Sequence, residues 1–200
     1  MQYGQAGNNL ASAYRYVSKA YFPPNGRIPD PAMFAVPQYN TWIELQYDQR
    51  ESRILEYAKN IIDKGYPPGV LMIDDTWQAN YGTWEFAADR FNDPKGMMAK
   101  LHGMGFKVML WVCPFVSADS ESFRYLAKKG LLLLSNQTNK PVDWSRTAQN
   151  EVAIVRWWNG YSALLDLTNP DARTWFNDRP NHLVTNYGVD GFKFDADDSE

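Results

Sequence analysis

Apolar residues along the chain alternate between short continuous runs and longer stretches with helical spacing. The continuous runs have the length of buried strands, whereas the longer stretches place apolar residues on one face of a helix. Val70–Ile73 and Lys107–Val112 are predicted strands of this kind, Tyr39–Leu45 is predicted from its content of Tyr, Thr, Trp and Ile, and Gly191–Phe194 from the glycines that bracket it. The predicted helices are Glu51–Lys64, Pro94–Met104, Glu121–Lys129 and Pro170–Tyr187. This order predicts βαβ units around a parallel sheet.

Two segments depart from the alternation. Residues 1–38 form a lead-in, in which 8–20 is predicted to be helical and four later prolines keep the chain extended or turning. Residues 131–167 form a long excursion with extended pieces of their own. We therefore divide the chain into a lead-in over 1–38 and one α/β domain over 39–200.

The ends of the predicted strands carry the candidate chemistry. Asp74 and Asp75 follow the second strand, Trp111 lies near the end of the third, and Trp42 lies on the first. Ligand sites in parallel sheets form at the carboxyl ends of the strands. Carboxylates accept hydrogen bonds from hydroxyl groups and tryptophan faces pack on C–H surfaces, so this edge suits a neutral polyol.

The fourth predicted strand places different chemistry on its two faces. Phe192 and Phe194 point one way, and Lys193 and Asp195 point the other, because side chains alternate along a strand. The two aromatic rings require a covering helix layer. A buried lysine and carboxylate are costly unless they meet each other or a ligand.

Composition excludes several function classes. The net charge of −3 gives no basic surface for nucleic acid, and no apolar run approaches the length of a membrane span. Cys113 is the only cysteine and there are two histidines, so neither a disulfide nor a metal site of cysteines and histidines is expected. The sequence Asp195-x-Asp197-x-Ser199 begins like a calcium loop but lacks the rest, and we predict no metal and no cofactor.

Six motifs together resemble the retaining α-glycosidases of glycoside hydrolase family 31. The resemblance runs from about Tyr39 to Glu200. The motifs are Tyr39-Asn40-Thr41-Trp42, Ile73-Asp74-Asp75-Thr76-Trp77, Trp84-Glu85-Phe86 with Arg90-Phe91, Trp157-Trp158-Asn159-Gly160, Asp166-Leu167-Thr168-Asn169-Pro170, and Lys193-Phe194-Asp195. The resemblance implies a (β/α)8 TIM barrel, of which this chain carries about the first four strands.

The same resemblance implies roles for particular residues. Asp195 would be the catalytic nucleophile, and Lys193 would bind substrate and keep Asp195 ionised. Asp74 and Asp75 would hold sugar hydroxyls, and the adjacent pair also resembles related α-galactosidase families. Trp42, Trp111 and Trp158 are further candidates for contact with the sugar. The acid/base carboxyl would lie beyond residue 200.

The sequence departs from the family pattern in two places. Asn159 stands where the α-glucosidases often have proline, and Asp197 and Asp198 follow the nucleophile where a small residue and glutamate are common. Both departures bear on the substrate more than on the reaction. We expect an α-galactoside or α-glucoside to be hydrolysed. No signal peptide is visible, although the family fits a secreted or periplasmic location.

Two other functions remain open at this stage. A lysine on a barrel strand, such as Lys193, can form an imine with a carbonyl substrate, as in a Schiff-base aldolase. A non-catalytic relative of the family would keep a sugar pocket without turnover. The oligomeric state is not predicted.

Overall fold

The structure is a computed structural model that describes residues 7–135 and 152–196. The chain divides into two compact units, Met1–Ala35 and Val36–Glu200. In the first unit, helix α1 spans Leu10–Tyr21 and helix α2 spans Ala32–Ala35. Asn9 caps α1, because its side chain accepts a hydrogen bond from the Ser12 amide while the Ser12 hydroxyl lies within reach of the Asn9 amide. The predicted lead-in helix is confirmed, but the boundary at residue 38 stays a prediction.

The second unit is built on a parallel sheet. Its strands are β1 (Gln38–Asn40), β2 (Val70–Ile73), β3 (Lys107–Val112) and β7 (Gly191–Phe194), in the order β1-β2-β3-β7. Three of the four strands have the predicted bounds. Leu71, Ile73, Val108 and Leu110 are completely buried, as expected for strands covered on both faces.

The first predicted strand is wrong beyond Asn40. Strand β1 ends there, and Trp42–Leu45 forms a short helix, α3. The Asn40 side chain accepts a hydrogen bond from the Trp42 amide at 2.7 Å, and Thr41 takes a helical backbone conformation. Side chains of this kind compete with the sheet for backbone amides. Trp42 therefore lies at the start of α3, after the strand, and not on the strand itself.

Helices connect the parallel strands. They are α4 (Glu51–Asp63), α5 (Pro94–Gly103), α6 (Glu121–Lys129) and α7 (Pro170–Tyr187). Asp93, Ser120 and Asn169 cap the last three by accepting backbone hydrogen bonds at 2.9, 3.1 and 2.9 Å. Helix α7 is continuous through Pro180. Each helix lies within one residue of its predicted bounds.

A second, antiparallel sheet lies in the chain between β3 and α7. It consists of β4 (Phe115–Ser117), β5 (Ile154–Trp157) and β6 (Gly160–Leu164), in the order β4-β6-β5. Strands β5 and β6 form a hairpin whose turn holds Trp158 and Asn159. The predicted extended pieces of the excursion are therefore present, although residues 136–151 lie outside the described part of the chain.

The two faces of β7 divide as predicted. The rings of Phe192 and Phe194 lie 6.4 Å apart, and Phe176 of α7 packs 6.2 Å from Phe194. Lys193 and Asp195 share the other face. The predictions for Asp197, Asp198 and Ser199 concern residues outside the described part of the chain.

A charged cluster joins the amino-terminal ends of β3 and β7. Asp190 accepts hydrogen bonds from the Val108 amide at 2.8 Å and Lys107 Nζ at 3.1 Å, and lies 2.8 Å from His102 Nε2. Burial would raise the pKa of Asp190, but these contacts outweigh it and lower the pKa. The cluster ties α5 to the sheet at the end opposite to the candidate site. No helix among residues 7–135 and 152–196 is long and apolar enough to cross a membrane.

Candidate active site

All seven residues singled out in the sequence line one pocket. The pocket has a volume of about 290 Å³ and opens at the carboxyl ends of the parallel strands, at the small end of the range for small-molecule sites. Its lining is Asn40, Trp42, Ile43, Asp74, Asp75, Trp111, Trp158, Lys193 and Asp195. A larger cavity of about 380 Å³ lies against α3 and α4 and contains none of the seven.

Asp195 is held by three hydrogen-bond donors at the end of β7. Its Oδ2 accepts from Trp111 Nε1 at 2.7 Å and forms an ion pair with Lys193 Nζ at 2.9 Å. Its Oδ1 accepts from the Ala196 amide at 2.9 Å. Ala196 has a φ of 63° and is buried, a strained conformation for a residue with a side chain. The strained backbone therefore orients one of the three donors.

These contacts decide the charge of Asp195. Burial would raise the pKa of Asp195, but the hydrogen bonds from Lys193 and Trp111 outweigh it and lower the pKa. Burial would likewise lower the pKa of Lys193, but the hydrogen bond to Asp195 and the negative charge of Asp74 outweigh it and raise the pKa. The carboxylate is therefore ionised and the amine protonated at neutral pH.

Lys193 also connects the nucleophile candidate to the end of β2. Its Nζ lies 3.2 Å from Asp74 Oδ2, which accepts a second hydrogen bond from Asn40 Nδ2 at 2.7 Å. Asp74 Oδ1 accepts from the Asp75 amide at 2.9 Å. The side chain of Asp74 thus contacts residues of both β1 and β7. Its negative charge faces the ammonium group of Lys193, which Asp74 shares with Asp195.

Asp75 has a different environment, although it is the next residue. It is 3% exposed and has no lysine or arginine partner among the described residues. Its partners are the Thr76 amide at 2.6 Å, Gln78 Nε2 at 3.2 Å, Tyr81 OH at 3.0 and 3.1 Å, and Asn159 Nδ2 at 2.6 Å. Burial raises the pKa of Asp75, and these hydrogen bonds oppose the increase without cancelling it.

The loop after Asp75 is fixed by an arginine. Thr76 has a φ of 72°. Arg90 donates hydrogen bonds to the carbonyl oxygens of Thr76 and Gln78, the second at 3.2 Å. Charged hydrogen bonds to backbone carbonyls stabilise a loop conformation that Thr76 would otherwise rarely adopt.

The three tryptophans line the pocket in different ways. Trp111 is buried and presents its indole N–H to Asp195, while Trp77 Nε1 donates to the Trp111 carbonyl at 2.9 Å. Trp42 packs edge to face on Tyr47 with ring centroids 5.2 Å apart. Trp158 is 57% exposed at the hairpin turn. Trp42 and Trp158 therefore offer aromatic surface to a ligand, whereas the indole N–H of Trp111 is used in the hydrogen bond to Asp195.

Several residues that hold the aspartates were not among the predicted site residues. Asn40, Tyr81 and Asn159 hold Asp74 and Asp75, and Ala196 donates to Asp195. Asn40 and Asn159 could have been identified from the sequence, because they belong to two of the six motifs that resemble the family. Nothing in the local sequence distinguishes Tyr81 or Ala196.

Comparison with known sequences identifies the family. Residues 31–200 match the family model described as "Glycosyl hydrolases family 31 TIM-barrel domain". The chain belongs to glycoside hydrolase family 31. Its parallel sheet is accordingly part of a (β/α) barrel, and the family resemblance inferred from the six motifs is confirmed.

Relatives in the family match most of this chain but only part of their own length. The chain is 33% identical over 190 residues to the myogenesis-regulating glycosidase of Mus musculus, covering 95% of this chain and 25% of that protein. It is 28% identical over 163 residues to the α-xylosidase XylQ of Lactiplantibacillus pentosus, covering 78% and 19%. The chain thus spans about a quarter or less of these two relatives.

Solved structures support the same fold. The dextranase of Flavobacterium johnsoniae, solved with glucose, superposes with a TM-score of 0.68 at 22% identity, covering 84% of this chain and 19% of that one. An α-xylosidase from a soil metagenome, solved with xylose, superposes with a TM-score of 0.63 at 23% identity, covering 79% and 21%. At these identities the likeness concerns the fold alone.

Proposed function

We propose that this chain supplies the nucleophile and part of the sugar pocket of a retaining α-glycosidase. Asp195 is the nucleophile, and a complete barrel with further strands supplies the acid/base carboxyl. The observation that carries the proposal is the environment of Asp195. An ionised carboxylate at the end of β7 faces the pocket and is held by Lys193 and Trp111 at 2.9 and 2.7 Å.

The proposed reaction has two steps. Asp195 attacks the anomeric carbon and forms a glycosyl-enzyme while the acid/base carboxyl protonates the leaving oxygen. That carboxyl then removes a proton from water, which attacks the glycosyl-enzyme and releases the sugar with retained configuration. Retaining enzymes place the two carboxyls about 5–5.5 Å apart, so the acid/base would lie across the pocket from β7.

The pocket is proposed to hold one terminal α-linked hexose. Its volume of about 290 Å³ and its mixture of carboxylates and indole surface suit a single neutral sugar ring. We place an α-galactoside ahead of an α-glucoside because an aspartate pair at Asp74 and Asp75 resembles the pair of related α-galactosidase families. Relatives named α-xylosidase and α-glucosidase make the α-xyloside and the α-glucoside the alternatives to test.

The aldolase alternative receives less support from the site. A Schiff-base lysine must lose its proton to attack a carbonyl. Lys193 instead bridges Asp195 and Asp74, which hold it in the protonated form. Borohydride reduction in the presence of a carbonyl substrate would trap an imine on Lys193 if the aldolase reading were right, and we expect no trapping.

Covalent labelling tests the proposed nucleophile. The longer protein that completes the barrel is incubated with a mechanism-based fluoro-sugar and mapped by peptide mass spectrometry. We expect the label on Asp195 and its loss in Asp195→Asn. A label on another carboxylate would overturn the assignment, and a complete lack of turnover would favour the non-catalytic sugar-binding relative.

Aryl glycosides test the proposed sugar. Turnover of aryl α-galactoside, α-glucoside and α-xyloside is compared by kcat/KM at equal enzyme concentration. We expect the galactoside to be hydrolysed fastest and the glucoside next. A preference for the xyloside, which lacks the 6-hydroxymethyl group, would contradict the proposed preference for a hexose.

A further inference from the structure

The turn of the β5–β6 hairpin forms hydrogen bonds with the loop after β2 through the side chain of Asn159. Trp157 pairs with Gly160 across the turn, and Gly160 has a φ of 103°. Between them, Asn159 directs its amide at two residues of the loop after β2. Its Nδ2 donates to Asp75 Oδ2 at 2.6 Å and to Tyr81 OH at 2.7 Å.

This amide completes the hydrogen bonding of Asp75. A carboxylate has about four acceptor positions. Four donors meet Asp75: the Thr76 amide, Gln78, the Tyr81 hydroxyl and Asn159. The single hydroxyl proton of Tyr81 serves only one of its two close contacts. The described residues therefore leave Asp75 no acceptor position for a sugar hydroxyl.

Asp74 differs in this respect. It accepts three hydrogen bonds, from the Asp75 amide, Asn40 and Lys193. By the same count it keeps one acceptor position, on Oδ1. Both carboxylates line the pocket, but among the described contacts only Asp74 has capacity left for the ligand.

Asn159 also fixes the neighbouring aromatic residue. Trp158 precedes it on the same turn, packs on Trp157 with ring centroids 5.1 Å apart, and lines the pocket. On the other side of the amide, Asn159 Oδ1 lies 3.5 Å from the hydroxyl of Tyr47, whose ring packs on Trp42. The Asn159 amide thus lies between the segments that carry Trp158 and Trp42, the two tryptophans that offer aromatic surface to the pocket.

We propose that Asn159 is a positioning residue of the active site, which saturates Asp75, holds Trp158 at the pocket and leaves Asp74 as the carboxylate of the pair that binds the sugar. The inference rests on the proposed glycosidase function and refines it. In this inference Asp75 does not contact the substrate. It anchors Asn159 and Tyr81, and through them it supports the hairpin turn that carries Trp158.

A double-mutant cycle in the longer protein tests the shared network. Asn159→Ala removes the amide, and Tyr81→Phe removes only the hydroxyl. Each is expected to lower kcat/KM for the best aryl α-glycoside roughly tenfold, the effect of one hydrogen bond to a charged group. Because both side chains act on Asp75, kcat/KM of the double variant should be only slightly lower than that of the more impaired single variant. Additive losses, or Asn159→Ala at the wild-type rate, would overturn the proposal.

Two controls separate positioning from general destabilisation. Asn80→Ala removes an exposed asparagine from the same loop and should match the wild type in rate and pH profile. In Asn159→Ala, the acid limb of kcat/KM should move to higher pH, because the buried Asp75 loses a donor that favours its charged form. Tyr81 and Cys113 face Asp75 but stay neutral in this range, since burial raises the pKa of both. An unmoved acid limb would contradict the proposal.

Deoxy sugars test the division between the two aspartates. Asp74→Ala should lose the discrimination between the parent sugar and the monodeoxy analogue that lacks its bound hydroxyl. Asn159→Ala should keep that discrimination while losing rate. If instead Asn159→Ala lost the discrimination and Asp74→Ala kept it, Asn159 or Asp75 would contact the sugar directly, and the assignment would be refuted.

Hydrogen exchange supplies a readout that needs no turnover. If the wild-type protein hydrolyses no aryl α-glycoside, the proposed function fails, but the hairpin can still be measured. Amides of Gly160–Leu164 should exchange faster in Asn159→Ala than in Asn80→Ala, because the turn has lost its attachment to Asp75. Equal exchange in both variants would overturn the attachment itself.

Discussion

Replacing Lys193 by methionine removes the ammonium group and keeps an unbranched apolar stem. The change takes from Asp195 both a hydrogen bond at 2.9 Å and its only ion-pair partner among the described residues. It also removes the 3.2 Å partner of Asp74. The ionised form of Asp195 loses most, because that form alone is stabilised by the positive charge.

The magnitude follows from one charge-assisted hydrogen bond. Such bonds contribute about 1.5–3 kcal/mol. The side chains of Lys193 and Asp195 are 39% and 31% exposed, so solvent screening favours the lower end of that range. A loss of about 1.5 kcal/mol in the transition state lowers kcat/KM roughly tenfold.

The pH profile gives the sharper readout. The proposed nucleophile must be ionised, so kcat/KM falls as the pH drops through the pKa of Asp195. Because the pKa of Asp75 is raised and that of Asp195 is lowered, protonation of Asp75 governs the upper part of the acid limb and protonation of Asp195 the lower part. Lys193 helps to lower the pKa of Asp195, and Lys193→Met should therefore move the lower part of the acid limb to higher pH. The assay is turnover of an aryl α-glycoside from pH 3 to 8 by the longer protein.

Trp111→Phe is the matched control variant. It removes the other donor to Asp195 Oδ2, at 2.7 Å, but no charge. Its acid limb should move in the same direction and by less, because the electrostatic attraction of Lys193 remains. A Lys193→Met variant with the wild-type rate and acid limb would refute the reasoning, and so would a larger displacement in Trp111→Phe. Thermal unfolding of both variants checks that each is folded.

Three further outcomes are expected. Asp74→Ala, which removes the proposed sugar contact, and Asp75→Ala, which removes the partner of Asn159 and Tyr81, should each lower turnover about ten- to a hundredfold on aryl α-glycosides; a normal rate in either variant would contradict the role proposed for that aspartate. Asp190→Asn should lower the free energy of unfolding by about 1–3 kcal/mol at pH 7. Because the pKa of Asp190 is lowered by folding, this difference should fade below about pH 4, which denaturant titrations at both pH values measure. Residues 1–200 expressed alone should be inactive and self-associate through the outer edges of β1 and β7, which size-exclusion chromatography and activity assays check against the longer protein.

Much of the sheet could be predicted because its strands are apolar on both faces. Val70–Ile73 and Lys107–Val112 have continuous apolar runs, and glycines and caps mark the neighbouring helices. The first strand could not be predicted as well. Thr41, Trp42 and Ile43 favour strands by propensity, but the Asn40 side chain captures the Trp42 amide and begins a helix.

The candidate site was predictable where strand alternation decides it. Lys193 and Asp195 share one face of β7 because they are two residues apart, and their ion pair follows from that spacing. The partners of Asp75 could not be found in this way. Asn159 lies 84 residues from Asp75, and the contact depends on the hairpin turn returning to the barrel. Only the folded arrangement distinguishes the saturated aspartate from its neighbour.

Asp75 and Asp195, whose pKa values shift in opposite directions, are held by the same backbone conformation. Asp75 and Asp195 are each followed by a residue with positive φ, Thr76 at 72° and Ala196 at 63°, whose amide donates to the preceding carboxylate. A positive φ at a residue other than glycine costs about 1–3 kcal/mol. Contacts elsewhere in the fold must therefore offset this cost at both turns. The difference between the two carboxylates therefore comes from burial, which is deeper at Asp75 and raises its pKa, and from Lys193, which pairs with Asp195 and not with Asp75. On this argument, shallower burial and the contact with Lys193 distinguish the proposed nucleophile Asp195 from Asp75, because the two share the same backbone turn.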